Sequence, residues 1–532
     1  MGIPAFFSYI IKHHPNILIK HKNMKLHKSS YKKTNLFIDA NSIIYDSLRT
    51  INSEDSNFEQ LLYKEVCNKI DSLIQLLKPN HEVIIAFDGV APLAKLEQQR
   101  TRRYKSAFMR TLEHKDDVFW NTSNITPGTQ FMKQLMAYIE DYYSHHSFSI
   151  EHLQIFTSNT EGEGEHKIFE YIRQNKDRFI RYLYNEMNTI IYGLDADLIM
   201  LCLVHQPYFQ HFYLYRETPE FIKSLHSSLN EDEQYLIDIH SLKCQILRTL
   251  KKYYGNSKKM LLYNGHEKII DYIFICFLFG NDFLPHFPSL NIRTFGFDNI
   301  LYAYCQSISI SKTIITKQHK INWKLFRAFC NKLYENELQN IKVEVKQRKT
   351  LQKKYNNNLK RYKSIENLPI LKQNIEDAID IHRNGWQERY YIFLFDMEYN
   401  EENIQKICLN YLEGLEWTLA YYTDTCKNWQ WKYNYHYPPL FEDLIKYIPY
   451  FNTTLLTENY EKVSPITQLC YVLPKSSFGL IPEETKTKLL DALGYKYPDE
   501  YEFNWAFCKY FWEAHISLPE ISIKEIEVAI AV

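Results

Sequence analysis

The chain has 532 residues, of which 45% are hydrophobic and 24% charged, so we expect a folded protein with roughly two to four domains or lobes. Its formal net charge is zero, with 63 basic and 63 acidic residues, and this balance neither predicts nor excludes nucleic-acid binding, because local patches decide electrostatic attraction. The 10 cysteines are scattered singly without a CxxC pair, which argues against a disulfide framework or a zinc site and favours a reducing compartment.

The sequence carries no sign of export or membrane insertion. Its first residues, Met1 to Phe7, lack the basic residues that open a signal peptide. The longest apolar stretch runs from Tyr272 to Gly280 and is far shorter than the roughly 20 residues of a membrane-spanning helix. We therefore expect a soluble intracellular protein with no membrane partner.

Residues 35 to about 300 alternate short apolar runs with amphipathic stretches, a pattern that predicts a layered α/β fold. Three runs are short and rich in β-branched or aromatic residues, as buried parallel strands are: Asn35–Ile38, Val83–Phe87 and Thr189–Tyr192. Each of them leads directly into aspartates, which are Asp39, Asp88, and the pair Asp195 and Asp197.

These acids are predicted to converge, because ligands bind beyond the carboxyl ends of parallel strands. The acidic segment Glu161-Gly162-Glu163-Gly164-Glu165 and Asp282 can join them. Clustered carboxylates repel one another unless a cation lies between them, and oxygen ligands favour Mg²⁺ or Mn²⁺. Two such ions, about 3.5–4 Å apart, are the usual device for phosphodiester cleavage. The alternative, that each aspartate caps a helix or turn, explains one of them but not the whole set.

A basic block follows Asp88, with six basic residues and one acidic residue between Lys95 and Arg110. On a helix, Lys95, Gln99 and Arg102 lie on one face with Arg103 beside them. Convergent Lys, Arg and amide donors suit a terminal phosphate. The alternative is an exposed basic helix face.

The second half of the chain changes in composition. From Lys342 to Lys363 there are nine basic residues and one acidic residue, which predicts an exposed helix or linker. Further on, Trp429 and Trp431 alternate with a period of two, so in an extended chain they face opposite sides and one of them lies in the core.

These motifs resemble the XRN-type 5′→3′ exoribonucleases in order and over nearly the whole chain. The resemblance is carried by eight blocks, which are 1–7, 88–103, 125–129, 162–167, 192–200, 280–286, 411–417 and 429–438. The sequence departs from the family at Ser42, where glycine is usual, at Glu161, where proline is usual, and at Tyr45, where a base-stacking histidine is usual. The long C-terminal extension of the large cytoplasmic members is also missing.

The resemblance implies a flap-endonuclease or PIN-like nuclease core with a largely parallel central sheet, and a mostly helical second region packed against it. We divide the chain accordingly into a nuclease domain (1–340), a basic linker or helix (341–384) and a second conserved region (385–532) that completes the substrate channel.

The resemblance also implies the roles of individual residues. The metal-binding and catalytic acids, with two Mg²⁺ or Mn²⁺ ions, are Asp39, Asp88, Glu163, Glu165, Asp195, Asp197 and Asp282. The 5′-phosphate pocket consists of Lys95, Gln99, Arg102 and Arg103. Tyr45 and Trp431 are expected to stack on substrate bases.

The activity implied is processive 5′→3′ hydrolysis of single-stranded RNA that carries a 5′-monophosphate, in RNA decay, with the decapping machinery as a candidate partner. The alternatives are a flap endonuclease or 5′→3′ DNA exonuclease, a non-catalytic RNA-binding or scaffold protein, and a structural role in a larger particle. The block after Asp88 and the second conserved region argue against a DNA nuclease, and the seven intact acids argue against a non-catalytic protein. Many nuclear members of the family carry a zinc knuckle, so the resemblance, together with the lack of a Cys/His cluster of that kind, favours the cytoplasm. The basic stretch Lys346–Lys363 leaves a nuclear location open.

Overall fold

A computed structural model of the protein describes residues 2–23, 33–51, 57–112, 120–145, 149–181, 187–255 and 265–531. The chain forms two compact units. The sheet unit comprises Phe6–Ile246, Glu461–Tyr497 and Glu520–Val532, and the helical unit comprises Met1–Ala5, Leu247–Tyr460 and Pro498–Pro519. The boundaries drawn above at residues 340 and 385 stay a prediction.

Seven strands form the sheet of the sheet unit: β1 Leu18–Lys20, β2 Thr34–Asp39, β3 Glu82–Ala86, β4 His152–Phe156, β5 Asn188–Tyr192, β6 His211–Arg216 and β7 Tyr235–Asp238. Their spatial order is β1-β7-β6-β5-β2-β3-β4. The strands from β6 to β4 are parallel to their neighbours, and β7 pairs antiparallel with β1 and β6. The predicted largely parallel sheet is confirmed, and β2, β3 and β5 end within one residue of the predicted strands.

The order of the parallel strands reverses beside β2. From β2 the chain proceeds outward to β3 and β4, and then returns to the other side of β2 as β5 and β6. The crevice beyond the carboxyl ends of strands at such a reversal is the place where open α/β sheets bind ligands.

Helices cover both faces of the central strands. They are α1 Phe6–His13, α2 Asn41–Leu48, α3 Phe58–Leu77, α4 Leu93–Leu112, α5 Gln130–His145, α6 Gly164–Gln174, α7 Lys176–Arg181, α8 Asp197–His205, α9 Ile222–Leu225 and α10 Ile239–Tyr253. On one face, Leu36 and Ile38 of β2 belong to the core that includes α2, α3 and α5. On the other face, Phe37 contacts Tyr171 of α6 and Phe179 of α7. Burial on both faces explains why the central strands read as continuous apolar runs.

The second part of the chain is mostly helical, as expected. Its helices are α11 Gly265–Cys276, α12 Gly296–Ser307, α13 Trp323–Tyr334, α14 Glu337–Asn356, α15 Leu359–Tyr362, α16 Leu368–Leu371, α17 Asn374–Ile379, α18 Trp386–Phe395, α19 Glu401–Thr423, α20 Phe441–Tyr447, α21 Pro465–Val472, α22 Glu483–Leu493 and α23 Ile523–Ala531. A two-stranded sheet, β8 Glu502–Asn504 and β9 His515–Ser517, lies in the helical unit. Among the described residues, no helix is both long enough and apolar enough to cross a membrane.

The last three helices belong to the sheet unit, where they pack on α4. Leu93 and Leu96 of α4 share an apolar core with α21, α22 and α23, including the fully buried Leu469 and Ile526. This packing buries one face of α4 and leaves its Lys95 face for other contacts.

Candidate metal centre and phosphate-binding helix

Six of the seven predicted acids follow the carboxyl ends of four adjacent parallel strands. Asp39 is the last residue of β2, Asp88 follows β3, Glu163 and Glu165 follow β4, and Asp195 and Asp197 follow β5. The strands that lead to these acids are therefore those beside the reversal of strand order.

Asp39 lies at the centre of this group. Burial raises the pKa of Asp39 well above its usual range, and the nearby charges of Asp88, Asp195 and Glu163 raise the pKa further, while Lys95 opposes them. Acids that follow four different strands therefore lie near one another, although their charges repel. At neutral pH the cluster therefore needs positive charge.

Two glycines make room for Asp39. A Cβ atom at Gly164 would lie 2.7 Å from Asp39 Oδ1, and one at Gly193 would lie 3.3 Å from Asp39 Cβ. The backbone N–H of Gly164, the first residue of α6, donates a hydrogen bond of 2.7 Å to Asp88 Oδ1. Close backbone approach at these glycines lets the loops after β4 and β5 meet β2 and β3.

The loops after β3 and β4 are fastened to each other. Gly89 N donates to Gly162 O at 2.9 Å, and the buried Lys167 Nζ donates to Phe87 O at 2.7 Å and to Thr157 O at 2.8 Å. Burial lowers the pKa of Lys167 to about 8. This bonding fixes where α6 begins, and with it the positions of both acids of the β4 loop.

The buried side chain of Glu165 indicates whether these carboxylates suit a metal ion. Burial raises the pKa of Glu165 well above its usual range, and the charges of Asp197, Glu163, Asp195 and Asp39 raise it further. Within the described part of the chain, Glu165 Oε2 has no hydrogen-bond partner although it is buried. A buried carboxylate oxygen without a donor, surrounded by other carboxylates, suits a hard divalent cation.

Sequence reasoning missed two residues near these acids. Ligand atoms of Glu163, Glu165 and His166 lie within 4.8 Å of one another, and burial lowers the pKa of His166 well below its usual range, which keeps the imidazole neutral. Neutral imidazole can bind a metal, so the expected oxygen-only ligand set gains one nitrogen candidate. Arg216 ends β6, where its guanidinium lies 4.1 Å from the ring of Phe7 and its charge interacts with Asp195. Prediction of β6 from the sequence would have made Arg216 a candidate, because it too lies at the carboxyl end of a parallel strand.

The residues of the predicted phosphate pocket lie on the helix α4, and Lys95 connects them to the acids. Lys95 Nζ lies 2.6 Å from Glu163 Oε2, and both side chains are largely buried. Gln99 and Arg103 are also buried, and neither Gln99 Oε1 nor Arg103 Nε has a hydrogen-bond partner among the described residues. Arg102 is exposed.

Arg103 and Arg100 look equivalent in the sequence but differ in the fold. Burial lowers the pKa of Arg103 to about 10, an effect that Tyr45 opposes and Arg102 reinforces. Arg100 is buried against aromatic rings, with its guanidinium 5.4 Å from the ring centre of Tyr471. Arg100 therefore serves packing, and this could not be read from the basic block because Tyr471 lies far away in the sequence.

The two predicted stacking residues lie in different units. Tyr45 on α2 is half-buried against the sheet core and interacts with Arg103. Trp431, in the helical unit, is 7% exposed and stacks on Trp417 with 5.3 Å between ring centres, whereas Trp429 is half-buried. Both stacking roles stay predictions.

Asp282 belongs to the helical unit. Its Oδ1 accepts a hydrogen bond of 3.1 Å from the backbone N–H of Gly2, and the neighbouring Asn281 accepts bonds from the N–H groups of Phe283 and Leu284. The role of Asp282 as a seventh metal ligand remains a prediction.

Comparison with known proteins identifies similar sequences along nearly the whole chain. Residues 1–218 match the family described as XRN 5'-3' exonuclease N-terminus, and residues 263–374 and 369–531 match the Xrn1 helical domain. The chain is 28% identical to 5'-3' exoribonuclease 1 of Saccharomyces cerevisiae, over 92% of this chain and 40% of that protein. It is 25% identical to 5'-3' exoribonuclease 2 of Arabidopsis thaliana, over 100% of this chain and 67% of the relative. The match to 5'-3' exoribonuclease 1 of Homo sapiens is 26% identical and covers 99% of this chain but 34% of that protein.

Proposed function

Because this chain belongs to the XRN 5′–3′ exonuclease family, whose N-terminal domain is a PIN-like nuclease domain, we propose that it is a magnesium- or manganese-dependent 5′→3′ exoribonuclease. Its substrate is single-stranded RNA with a 5′-monophosphate, which it degrades processively to mononucleotides. The observation that supports this most strongly is the 2.6 Å contact between Lys95 on the basic face of α4 and Glu163 in the acidic cluster. A phosphate-binding helix beside a cation site suits an enzyme that recognises an RNA end and cleaves the next phosphodiester bond.

The ions would be held by the predicted acids of the sheet unit, Asp39, Asp88, Glu163, Glu165, Asp195 and Asp197, and the part predicted for Asp282 rests on the family resemblance alone. When bound, a pair of divalent cations supplies the positive charge that activates water and stabilises the leaving oxygen in phosphodiester hydrolysis. The protein contributes the fixed carboxylates, and the orphaned Glu165 Oε2 is the donor that most needs such a partner.

The basic face of α4 would select the 5′ end. Arg103 keeps its positive charge at neutral pH because its pKa of about 10 is still well above 7. With Lys95, Gln99 and Arg102 it offers charge-assisted donors to a terminal phosphate. A pocket sized for one phosphate excludes a cap or a triphosphate sterically.

This activity belongs to RNA decay in the cytoplasm, after a reaction that leaves a 5′-monophosphate. Decapping enzymes, which make such ends, are the partners we propose. The chain spans 34% to 67% of the length of the relatives named above, and the proposal concerns the part of those proteins that it matches.

Product analysis on four labelled substrates tests the proposal. RNAs with a 5′-monophosphate, a 5′-triphosphate or a 5′-hydroxyl, and a DNA of the same sequence, are incubated with the protein in Mg²⁺ and in chelator. We expect mononucleotides to appear much faster from the monophosphate RNA than from the other three substrates, and none to appear in chelator. Degradation of DNA in preference to RNA would instead support the flap endonuclease or DNA exonuclease alternative, and binding without cleavage would support a scaffold.

A further inference from the structure

The helical unit carries a strongly basic segment at the end of α14 and along α15. Between residues 345 and 365 the chain has eight Lys or Arg residues and no Asp or Glu. Of these, Arg348 and Lys349 are paired, with Glu376 and Asp377, each at 2.6 Å. Six cations are exposed and form no ion pair with any residue that the structure describes, namely Lys346 and five nearer the end of the segment: Lys353, Lys354, Lys360, Arg361 and Lys363.

Aromatic rings lie among these cations. Tyr355 near the end of α14 stacks on Tyr362 at the end of α15, with 4.1 Å between ring centres and 9° between the planes. The Arg361 guanidinium lies 5.6 Å from the centre of the Tyr362 ring. Both tyrosines are only partly buried.

A second aromatic pair lies close to the first. Tyr510 and Trp512 are nearly parallel, with 6.0 Å between ring centres, and Trp512 is 42% exposed. The turn Phe511–Glu513 packs against Ile365–Asn367, directly after the basic segment. Lys509 Nζ lies 5.0 Å from the Tyr510 ring and adds a further positive charge. The two pairs and the five unpaired cations together form what we call the basic-aromatic surface.

We propose that the basic-aromatic surface binds single-stranded RNA, with bases stacked on its rings and phosphates neutralised by its lysines and arginine. Unpaired surface cations attract a phosphate backbone, and aromatic rings stack on bases of any sequence. An acidic protein would form ion pairs with the cations but offers few planar groups that could stack on the aromatic rings. Single-stranded nucleic acid presents planar bases and phosphates in alternation, and so it uses both.

This binding is an additional function. The surface lies in the helical unit, whereas the six strand-end acids and α4 lie in the sheet unit. It recognises the RNA body and is indifferent to the chemistry of the 5′ end. The surface therefore binds RNA in the absence of divalent cations, whether or not the acids hydrolyse it.

Equilibrium binding measurements test whether the exposed cations of this surface contribute to RNA binding. The ligand is a twenty-nucleotide single-stranded RNA with a 5′-hydroxyl and a 3′ fluorophore, titrated with the full chain in chelator at several salt concentrations. We expect the combined variant Lys354→Glu, Lys360→Glu, Arg361→Glu to bind at least about tenfold more weakly and to lower the slope of log K against log salt by about two. The control is Lys317→Glu with Lys324→Glu, at two exposed lysines elsewhere in the same unit that form no ion pair with the described residues, and it should change binding less than about twofold.

Aromatic variants test the stacking. Trp512→Ala and Tyr362→Ala should each weaken binding about five- to tenfold, whereas Tyr362→Phe, which keeps the ring, should bind as the unchanged protein does. Melting temperatures are measured for every variant, and Trp512→Ala and Tyr362→Phe keep the test valid if Tyr362→Ala does not fold.

Three results would overturn the proposal. The first is equal binding by the charge-reversal variant and its control. The second is unchanged binding by folded Trp512→Ala and Tyr362→Ala. The third is that polyglutamate displaces the RNA as effectively as unlabelled RNA does, which would identify an acidic protein as the partner. A protein that binds in this assay but never hydrolyses RNA would refute the proposed exonuclease and leave this inference standing.

Discussion

Among single residues, the main electrostatic feature of the sheet unit is the close packing of buried carboxylates. Asp39 and Glu165 both have raised pKa values because they are buried next to other acids. Lys95, which contacts Glu163, offsets part of this repulsion. Without further positive charge the cluster opposes folding at neutral pH, and removal of one charge should relieve it.

We predict that Asp197→Asn lowers hydrolysis by at least about a hundredfold, because the predicted ion site loses a charged ligand. In chelator the variant should melt at the same temperature as the unchanged protein or higher, and the rise in melting temperature caused by Mg²⁺ should shrink. Asp232→Asn, at an exposed acid of the same unit, is the control and should change neither property. Full turnover by Asp197→Asn at saturating Mg²⁺ would remove Asp197 from the site.

Tyr45 stands where the family usually has a base-stacking histidine, and the ring face of a phenol can take the same role. Tyr45→Ala should release shortened RNA early, because base–aromatic stacking contributes about 1–3 kcal/mol per base. Tyr45→Phe should remain as processive as the unchanged protein. The measurement is the distribution of product lengths in the presence of a competitor trap. An unchanged distribution for a folded Tyr45→Ala protein would assign the ring to core packing alone.

Among the secondary-structure elements, α4 carries the predicted phosphate pocket and also contacts the acidic cluster. One face is buried against α21 and α23, and Lys95, Gln99 and Arg103 lie on another. Because Lys95 also contacts Glu163, its loss would disturb the acids as well as the phosphate pocket. Arg102 is exposed and offers the cleaner test of end recognition.

Arg102→Ala should reduce the preference for 5′-monophosphate over 5′-hydroxyl RNA about ten- to a hundredfold, since a charge-assisted contact contributes about 1.5–3 kcal/mol. The measurement is kcat/KM on both substrates, with Lys64→Ala, at an exposed lysine of α3, as the control. An equal loss on the two substrates would mean that Arg102 attracts RNA in general and does not read its end.

The elements that could be predicted from sequence are those with a strong local pattern. β2, β3 and β5 are buried on both faces and read as apolar runs, and α4 shows its basic face at helical spacing. β4 reads His-Leu-Gln-Ile-Phe and is partly exposed at the edge of the sheet, so it gave no clear signal. The separation of Arg100 from Arg103 depends on Tyr471, a contact between distant segments that no local pattern contains.

At the scale of the whole molecule, the sheet unit is assembled from three separate parts of the chain. The core beneath α4 combines residues from 90–96, 463–497 and 521–530, so the helix that carries the predicted phosphate pocket depends on the last segments of the sequence. Contacts of this kind couple the stability of the candidate site to residues far from it in sequence.

Ile526→Ala should therefore destabilise the sheet unit by about 2–5 kcal/mol, because the side chain is fully buried in this core. Urea denaturation should show a lower midpoint, and protease should reach α4 sooner. Val528→Ala, at a residue of α23 that is 61% exposed, is the matched control and should change little. If Ile526→Ala left the midpoint unchanged, α23 would not belong to the cooperative core.

We propose that the acids of the sheet unit hydrolyse RNA from a 5′-monophosphate end with the help of divalent cations. This proposal is tested most directly on one RNA that carries a radioactive 5′-phosphate and a fluorophore at its 3′ end, followed in time with Mg²⁺ or chelator. The account predicts that the radioactive label leaves as a mononucleotide in the first turnover, that the fluorescent strand shortens from its 5′ end, and that chelator stops both. Radioactive fragments longer than one nucleotide, or degradation that continues in chelator, would contradict it.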